Sequence, residues 1–145
     1  MDEPNEGQQA IDDAALPLLS ISEVSEKTGI SAFTIRYYDK CGFFPNLYRG
    51  KNKVRCFSYN DLMWLRLVDA LRKSGLSIEG IKYFVRLSLQ GNRSLSEQYA
   101  ILENQETVLE YQLAEIQESL NVLHEAKAQK EPGQSAAEAG YAIRH

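Results

Sequence analysis

The sequence TIRYYDKCG at residues 34–42 decides the fold of this chain, because it predicts a short helix with a mixed cationic and aromatic surface. Ser31 precedes it and is a suitable helix N-cap, and Gly42 can end the helix. Phe33 and Tyr38 are the candidates for the buried side of this helix. A hydrophobic core accounts for tyrosines at helical spacing but not for the basic cluster that follows, so the stretch also predicts a binding surface.

A second short helix is predicted just upstream, in ISEVSEKTG at residues 21–29. Ser22 is the predicted N-cap and Gly29 the predicted end of this helix. Two short helices joined by a turn that contains glycine predict a helix-turn-helix.

Residues 43–59, directly after this pair, predict a small β-ribbon. Pro45 prevents continuation of the helix, and Gly50 with Asn52 favours a turn between two short extended runs. Four cations alternate with other residues and are expected to project near the tip of the ribbon: Arg49, Lys51, Lys53 and Arg55.

Two further helices are predicted after the ribbon. Ser58 and Asp61 can form a capping box that opens the first of them, and Gly75 marks its end. Its apolar residues are too many for one stripe, which predicts packing on two sides. The next helix starts after Ser77, with five residues expected to face inward: Ile78, Ile81, Phe84, Val85 and Leu89.

The last predicted helix carries a heptad pattern. Ser94 and Glu97 can form a second capping box, and from Leu95 the apolar spacing alternates between four and three residues, with Glu106 as the one polar exception. So narrow an apolar seam needs a partner helix, which predicts self-association, with packing against the protein's own core as the alternative. The dimerisation residues are Leu102, Leu109, Leu113, Ile116, Leu120 and Leu123. The predicted fold is therefore mainly α, a winged helix-turn-helix followed by a long dimerising coiled-coil helix.

The charge of the chain is strongly uneven along the sequence. The net charge is −4, yet residues 31–93 carry twelve basic and four acidic side chains, giving +8, between two segments of −6 each. A positive middle segment is typical of a nucleic-acid interface, since phosphate neutralisation depends on local charge. A solvated charged surface is the alternative.

Composition excludes several classes of protein. No run of 18 apolar residues is present, and the first 18 residues hold five acids and no Lys or Arg, unlike a signal peptide. We therefore expect a soluble cytoplasmic protein with reduced cysteines and no membrane partner. No phosphate loop or nucleophile–base set is visible, so we expect neither an enzyme nor a cofactor. The predicted domains are an acidic tail (1–18), a winged domain (19–93), a coiled coil (94–128) and a second flexible tail (129–145).

In the order of its parts, the chain resembles the MerR family of bacterial transcription regulators, from about Leu18 to Lys127. The resemblance rests on the ISEVSEKTGIS start, the TIRYYDK.G stretch, a following proline, a ribbon that ends R.F, and a GLS turn. The residues that match are Thr34, Arg36, Tyr37, Tyr38, Asp39, Gly42, Pro45, Arg55, Phe57, Gly75, Leu76 and Ser77.

The resemblance implies a DNA-binding mode. The helix that contains Thr34 and Arg36 would lie in the major groove, where these two residues would contact bases and phosphates, and the Tyr37 hydroxyl would reach a phosphate. Tyr38 is either a further DNA-binding residue or part of the hydrophobic core. The ribbon would act as a wing through its four cations. One departure lies there: Cys56 stands where the family often has a second Arg, and Phe57 lacks the hydroxyl of the usual Tyr.

The resemblance also implies a mechanism. An antiparallel homodimer would bind a near-palindrome within a promoter spacer and distort it, so that RNA polymerase can use the promoter. The chain is similar to short members without a large effector domain, which respond to aldehydes or thiol stress. An excisionase-like or architectural DNA protein and a coiled-coil interaction scaffold are the rival interpretations.

Three kinds of signal remain open at the level of sequence. Cys56 and Cys41 are the candidate redox residues. No metal site is expected, because residues 94–145 hold no Cys and only two His. A small apolar ligand between the fourth helix and the coil is the third possibility, with Tyr83, Phe84 and Tyr99 as candidate lining residues, against simple core packing.

Overall fold

The computed structural model describes residues 18–132. The chain divides into two compact units, Met1–Leu102 and Glu103–His145. The described elements are α1 (Ile21–Thr28), α2 (Ala32–Lys40), β1 (Tyr48–Arg49), β2 (Arg55–Cys56), α3 (Tyr59–Lys73), α4 (Ile78–Leu89) and α5 (Leu95–Gln129). This architecture confirms the mainly α fold with a winged helix-turn-helix followed by a long helix. The proposed domain boundaries stay predictions, and the two proposed tails fall almost wholly outside the described residues.

Helix α1 is capped two residues earlier than predicted. The Ser20 Oγ accepts from the Glu23 backbone N at 3.2 Å, and the Glu23 carboxylate accepts from the Ser20 backbone N at 3.1 Å. This reciprocal capping box places Ser22 inside the helix, so its assignment as the N-cap was wrong. Gly29, at φ 73°, ends the helix as predicted, because glycine enters the left-handed region without a Cβ penalty.

Helix α2 presents two distinct faces. The Ser31 Oγ accepts from the Thr34 backbone N at 3.1 Å and caps the helix as predicted, and Cys41 is the C-cap. Ile35 and Tyr38 are buried, but Phe33 is 82% exposed. The assignment of Phe33 to the core was therefore wrong. At 3.6 residues per turn Phe33 lies about 200° around the helix from Ile35, so the two cannot share a face.

The ribbon is shorter than predicted. Its strands have two residues each and pair antiparallel, with Tyr48 opposite Cys56 and Arg49 opposite Arg55. Lys51–Lys53 form a 3₁₀ turn, so the predicted alternation of the four cations along extended strands does not occur. Asn52 and Lys53, each at φ 59°, are the left-handed residues of this turn, a conformation that asparagine tolerates well.

The core of the first unit lies between α1–α4 and the ribbon. Ser58 and Asp61 form the predicted capping box, with the Asp61 N to Ser58 Oγ distance 3.1 Å. The Trp64 Nε1 donates to the Phe43 carbonyl at 2.7 Å, and its ring stacks on Phe84. The fully buried larger side chains are Val24, Ile35, Phe43, Phe57, Leu65, Val68, Ile81 and Phe84.

Helix α4 faces the core as predicted except at its end. Ile81, Phe84 and Val85 are buried, whereas Leu89 is exposed, so its inward assignment was wrong. Leu87 is buried instead. After α4 the chain continues into a short 3₁₀ segment, Gly91–Ser94.

Helix α5 starts without the predicted capping box. The Ser94 hydroxyl donates to the Leu87 carbonyl, and the Glu97 carboxylate accepts from the Tyr83 hydroxyl at 2.6 Å. These contacts use the two side chains that were expected to cap each other. All six predicted dimerisation residues lie on this helix and are exposed in the single chain. Among residues 18–132, none of the helices combines the length and apolar character needed to span a bilayer.

Candidate nucleic-acid interface

The outer face of α2 carries an aromatic and cationic set of side chains. Phe33, Arg36, Tyr37 and Lys40 follow the i, i+3, i+4, i+7 spacing of one helix face, and all four are exposed. The opposite face is held in the core by Ile35 and Tyr38. We call the four exposed residues the α2 face. Because the buried face anchors the helix, the α2 face has a fixed orientation on the domain.

Thr34 lies at the edge of the α2 face rather than at its centre. Its side chain is half-buried, and its Oγ1 accepts from the Ser31 hydroxyl at 2.9 Å. The Thr34 hydroxyl hydrogen stays available as a donor, since the contact uses the oxygen as acceptor. Its role as a base contact stays a prediction.

Tyr38 points into the domain instead of toward the α2 face. It is 4% exposed, and its hydroxyl donates to Asp69 Oδ1 on α3 at 2.9 Å. Lys73 binds the other carboxylate oxygen at 2.8 Å. Burial, with the hydrogen bond to Asp69, raises the pKa of Tyr38. We therefore do not retain Tyr38 in the interface, since its hydroxyl already joins α2 to α3.

A carboxylate at the end of α2 holds the wing. The Asp39 side chain is only 5% exposed, and it accepts from Arg55 Nε at 2.6 Å and from Arg49 Nη2 at 2.8 and 3.0 Å. Burial alone would raise the pKa of Asp39, but hydrogen bonds and charge from the two arginines outweigh it and lower the pKa. We call these three residues the wing clamp.

The wing clamp changes the expected role of two ribbon cations. Arg49 and Arg55 were predicted to project near the tip of the ribbon, but both give hydrogen bonds to one internal carboxylate. Lys51 and Lys53 are exposed at the tip of the wing. The clamp therefore ties the two strands of the wing to the C-terminal end of α2 and leaves the lysines as its outward charges.

Sequence reasoning missed four residues of this arrangement. Phe33 and Lys40 belong to the α2 face, and helical periodicity taken from Ile35 would have placed both outward. Besides the i,i+4 pair of Asp69 with Lys73, Asp39 binds Arg49 and Arg55 and Asp69 binds Tyr38, across separations of 10 to 31 residues. No local pattern reveals such pairs.

The two cysteines proposed for sensing are not part of the α2 face. Cys41 packs against the core, and the Cys56 Sγ donates to the Val54 carbonyl at 3.6 Å. Both thiols are free and half-buried. No cluster of three or more His, Cys, Asp or Glu side chains suited to a metal ion is found within residues 18–132.

The predicted apolar ligand pocket is not formed by its three candidate residues. Phe84 is buried in the core, Tyr83 binds Glu97 at the surface, and Tyr99 is exposed. A different cleft of about 190 Å³ lies in the first unit. It is lined by Phe44, Pro45, Asn46, Leu47, Asp61, Trp64, Val85, Ser88 and Leu89.

A helix-turn-helix whose outer helix presents Arg, Tyr and Lys beside a wing defines the class of winged helix-turn-helix regulators. The sequence profile described as MerR HTH family regulatory protein matches residues 19–87. An uncharacterized HTH-type transcriptional regulator of Haemophilus influenzae is 37% identical over 102 residues, covering 70% of this chain and 76% of the relative. The regulator AdhR of Bacillus subtilis is 29% identical over 87 residues, covering 60% and 62%.

Solved structures agree with the sequence relatives. The crystal structure of HiNmlR, described as a MerR family regulator lacking the sensor domain, bound to promoter DNA, is 35% identical with a TM-score of 0.72. The match covers 77% of this chain and 84% of that one. The chain belongs to the MerR family of transcriptional regulators. These relatives are regulators, which confirms the prediction that the chain is not an enzyme.

Proposed function

We propose that this protein binds a near-palindromic promoter site as a homodimer and regulates transcription by distorting the DNA. The observation that carries the proposal is the α2 face: Arg36, Tyr37 and Lys40 stand exposed on the second helix of a helix-turn-helix. Arginine suits phosphates and guanine edges, and the Tyr37 hydroxyl is a donor for phosphate. Double-stranded DNA is the partner, and the cytoplasm is the proposed location.

The wing supports the same proposal. Lys51 and Lys53 at its tip add two cations, and the wing clamp fixes the base of the wing to the end of α2. Because the wing clamp fixes the distance between α2 and the wing, one domain can contact the major groove through α2 and the adjacent phosphate backbone through the wing. Arg49 and Arg55 keep N–H groups beyond those given to Asp39, so each can also donate to a phosphate.

The exposed seam of α5 supports the homodimer. In the second unit Leu109, Leu113, Ile116, Leu120 and Leu123 are all exposed in the single chain. Apolar residues at heptad spacing are stabilised when a partner helix buries them. A two-fold dimer requires two half-sites separated by whole turns of about 10 bp, which predicts an inverted repeat.

We propose the inducing signal and the DNA-distortion mechanism from membership of the family. DNA bending and untwisting cost about 1–6 kcal/mol, supplied from protein–DNA contacts, and would realign the promoter elements for RNA polymerase. A stress or small-molecule signal would shift the equilibrium between two DNA shapes. Cys56 and Cys41 are the candidate redox residues, each half-buried and free.

Selection of random duplex DNA by the purified chain at near-physiological salt tests this proposal. We expect enrichment of an inverted repeat, with affinity that falls about 10³-fold or more between 50 and 200 mM salt. Sequence-independent binding with the same steep salt dependence would favour an architectural DNA protein. No enrichment together with a shallow salt dependence would overturn DNA binding and favour a coiled-coil scaffold.

A further inference from the structure

Phe33 is the most exposed large apolar side chain among the described residues, at 82%. It lies in the first turn of α2, directly after the capped end at Ser31 and Ala32. It shares the α2 face with Arg36 and Lys40, three and seven residues further along. A phenyl ring at the start of a helix face that also carries two cations contributes little to the core, so it is available to contact whatever binds this face.

The position of Phe33 selects the kind of partner. Residues near the N-terminus of a recognition helix contact base edges in the major groove. Lys40 lies about 10 Å further along the same face, at about 1.5 Å per residue, so on a duplex it would reach the phosphate backbone rather than the base beside Phe33. The two cations favour a polyanion on this face, whereas an apolar protein surface would leave both of them buried without partners.

The chemistry of the ring selects the base. A phenyl ring neither donates nor accepts a conventional hydrogen bond, so it cannot read the donors and acceptors of guanine, cytosine or adenine. Thymine alone presents an apolar group in the major groove, its C5 methyl, and Phe is among the side chains that contact it.

We propose that Phe33 contacts the C5 methyl of a thymine and so selects a T·A pair at one fixed position of each half-site. The inference rests on the proposed DNA-binding function and adds one residue to its specificity. Arg36 and Tyr37 position the helix against the duplex, and Phe33 discriminates between bases at the N-terminal turn of α2.

Replacement of thymine by deoxyuracil tests the contact, because it removes the methyl group and leaves the base pairing unchanged. Each thymine of the selected duplex is replaced in turn, and equilibrium binding of the full chain is measured. We expect one position per half-site at which the replacement lowers the affinity about fourfold, the effect of one buried methyl group. Replacement at both symmetric positions is expected to lower the affinity roughly tenfold or more.

The variant Phe33→Ala assigns the effect to this side chain. We expect it to bind with similar affinity to the thymine and deoxyuracil duplexes, since the ring that meets the methyl is absent. Met63→Ala is the matched control: Met63 is also exposed, but it lies on α3 outside the α2 face. This control should retain the full difference between thymine and deoxyuracil.

Two results would overturn the inference while the proposed function stands. One is a selected inverted repeat with no methyl-sensitive position. The other is a methyl-sensitive position that Phe33→Ala preserves. Absence of any selected duplex would instead contradict the proposed function itself. If Phe33→Ala binds too weakly to measure, the scan with the unaltered chain still decides whether a methyl is contacted, and Phe33→Leu then tests whether another apolar side chain retains the preference.

Discussion

Asp39 Oδ2 and Arg55 Nε lie 2.6 Å apart, and this contact joins the last turn of the proposed recognition helix to the second strand of the wing. A carboxylate near the C-terminus of a helix is unfavourable for the helix dipole. Two arginines from the ribbon compensate for it here. The wing is thus positioned by a charged contact as well as by its short ladder.

Asp39→Asn should loosen the wing. The amide keeps the shape of the side chain but removes its charge, and Arg55 then loses a charge-assisted acceptor in a half-buried place. We expect the free energy of unfolding to fall by about 2 kcal/mol, measured by urea denaturation. Glu79→Gln, which removes one charge of the exposed pair with Lys82, is the control. It should change the free energy of unfolding by less than about 0.5 kcal/mol. Equal effects would show that the clamp adds nothing beyond a surface pair.

The clamp should also weaken in acid. The pKa of Asp39 is lower in the folded protein than its ordinary value of 3.8, so folding favours the ionised carboxylate. The stabilisation of the fold by the ionised Asp39 carboxylate is complete above the pKa of this group in the unfolded chain. It is lost as the pH falls through the pKa of Asp39 in the folded protein. Urea denaturation of the unaltered chain and Asp39→Asn at successive pH values measures this. The difference between them should shrink as the pH falls below about 4 and vanish in stronger acid. A difference that is constant with pH would mean that the charge of Asp39 is not involved.

The adjacent tyrosines should separate into one structural and one DNA-contacting residue. Tyr38→Phe removes the hydrogen bond to buried Asp69, so we expect a loss of about 1–2 kcal/mol of stability with DNA affinity little changed under native conditions. Tyr37 is 47% exposed, and Tyr37→Phe should leave the unfolding free energy unchanged but weaken DNA binding. Thermal denaturation and DNA titration of both variants measure this. The reverse pattern would contradict the assignments.

Arg36→Ala should weaken binding to the selected site by about tenfold to a hundredfold per subunit. If the contact is to a phosphate, the slope of log affinity against log salt concentration should also become shallower by about 0.9 per contact. Lys82→Ala removes a charge on α4, outside the α2 face, and serves as the control in the same titrations. Sedimentation should show an unchanged dimer. A dimer lost with Arg36→Ala would indicate a structural role for this residue.

Leu113→Asp should prevent dimerisation, because a carboxylate in an apolar seam would lose its hydration on association. Leu113 is 67% exposed in the single chain, so the monomer should remain folded. Ala114→Asp adds the same charge one residue away, outside the heptad seam, and should leave the dimer intact. Sedimentation equilibrium distinguishes the two variants. A dimer that persists in Leu113→Asp would contradict the assignment of the seam.

The sequence by itself determined the helices, their order and the family resemblance. Capping residues such as Ser31, Ser58 and Gly29 act within a few residues, so local chemistry places most helix ends. The heptad spacing of α5 is likewise visible without coordinates. The error at Ser22 arose because Ser20 offers the same chemistry with Glu23 three residues later.

Only the tertiary structure decided which charged and aromatic side chains are available to a partner. Arg49 and Arg55 were expected to project from the ribbon, but both bind Asp39, and the hydrogen bond from the Tyr38 hydroxyl to Asp69 decides between the two roles left open for Tyr38. Phe33 was expected in the core and stands exposed. The physical reason is that burial and ion pairing depend on residues far apart in sequence, whereas caps and helical periodicity depend on near neighbours.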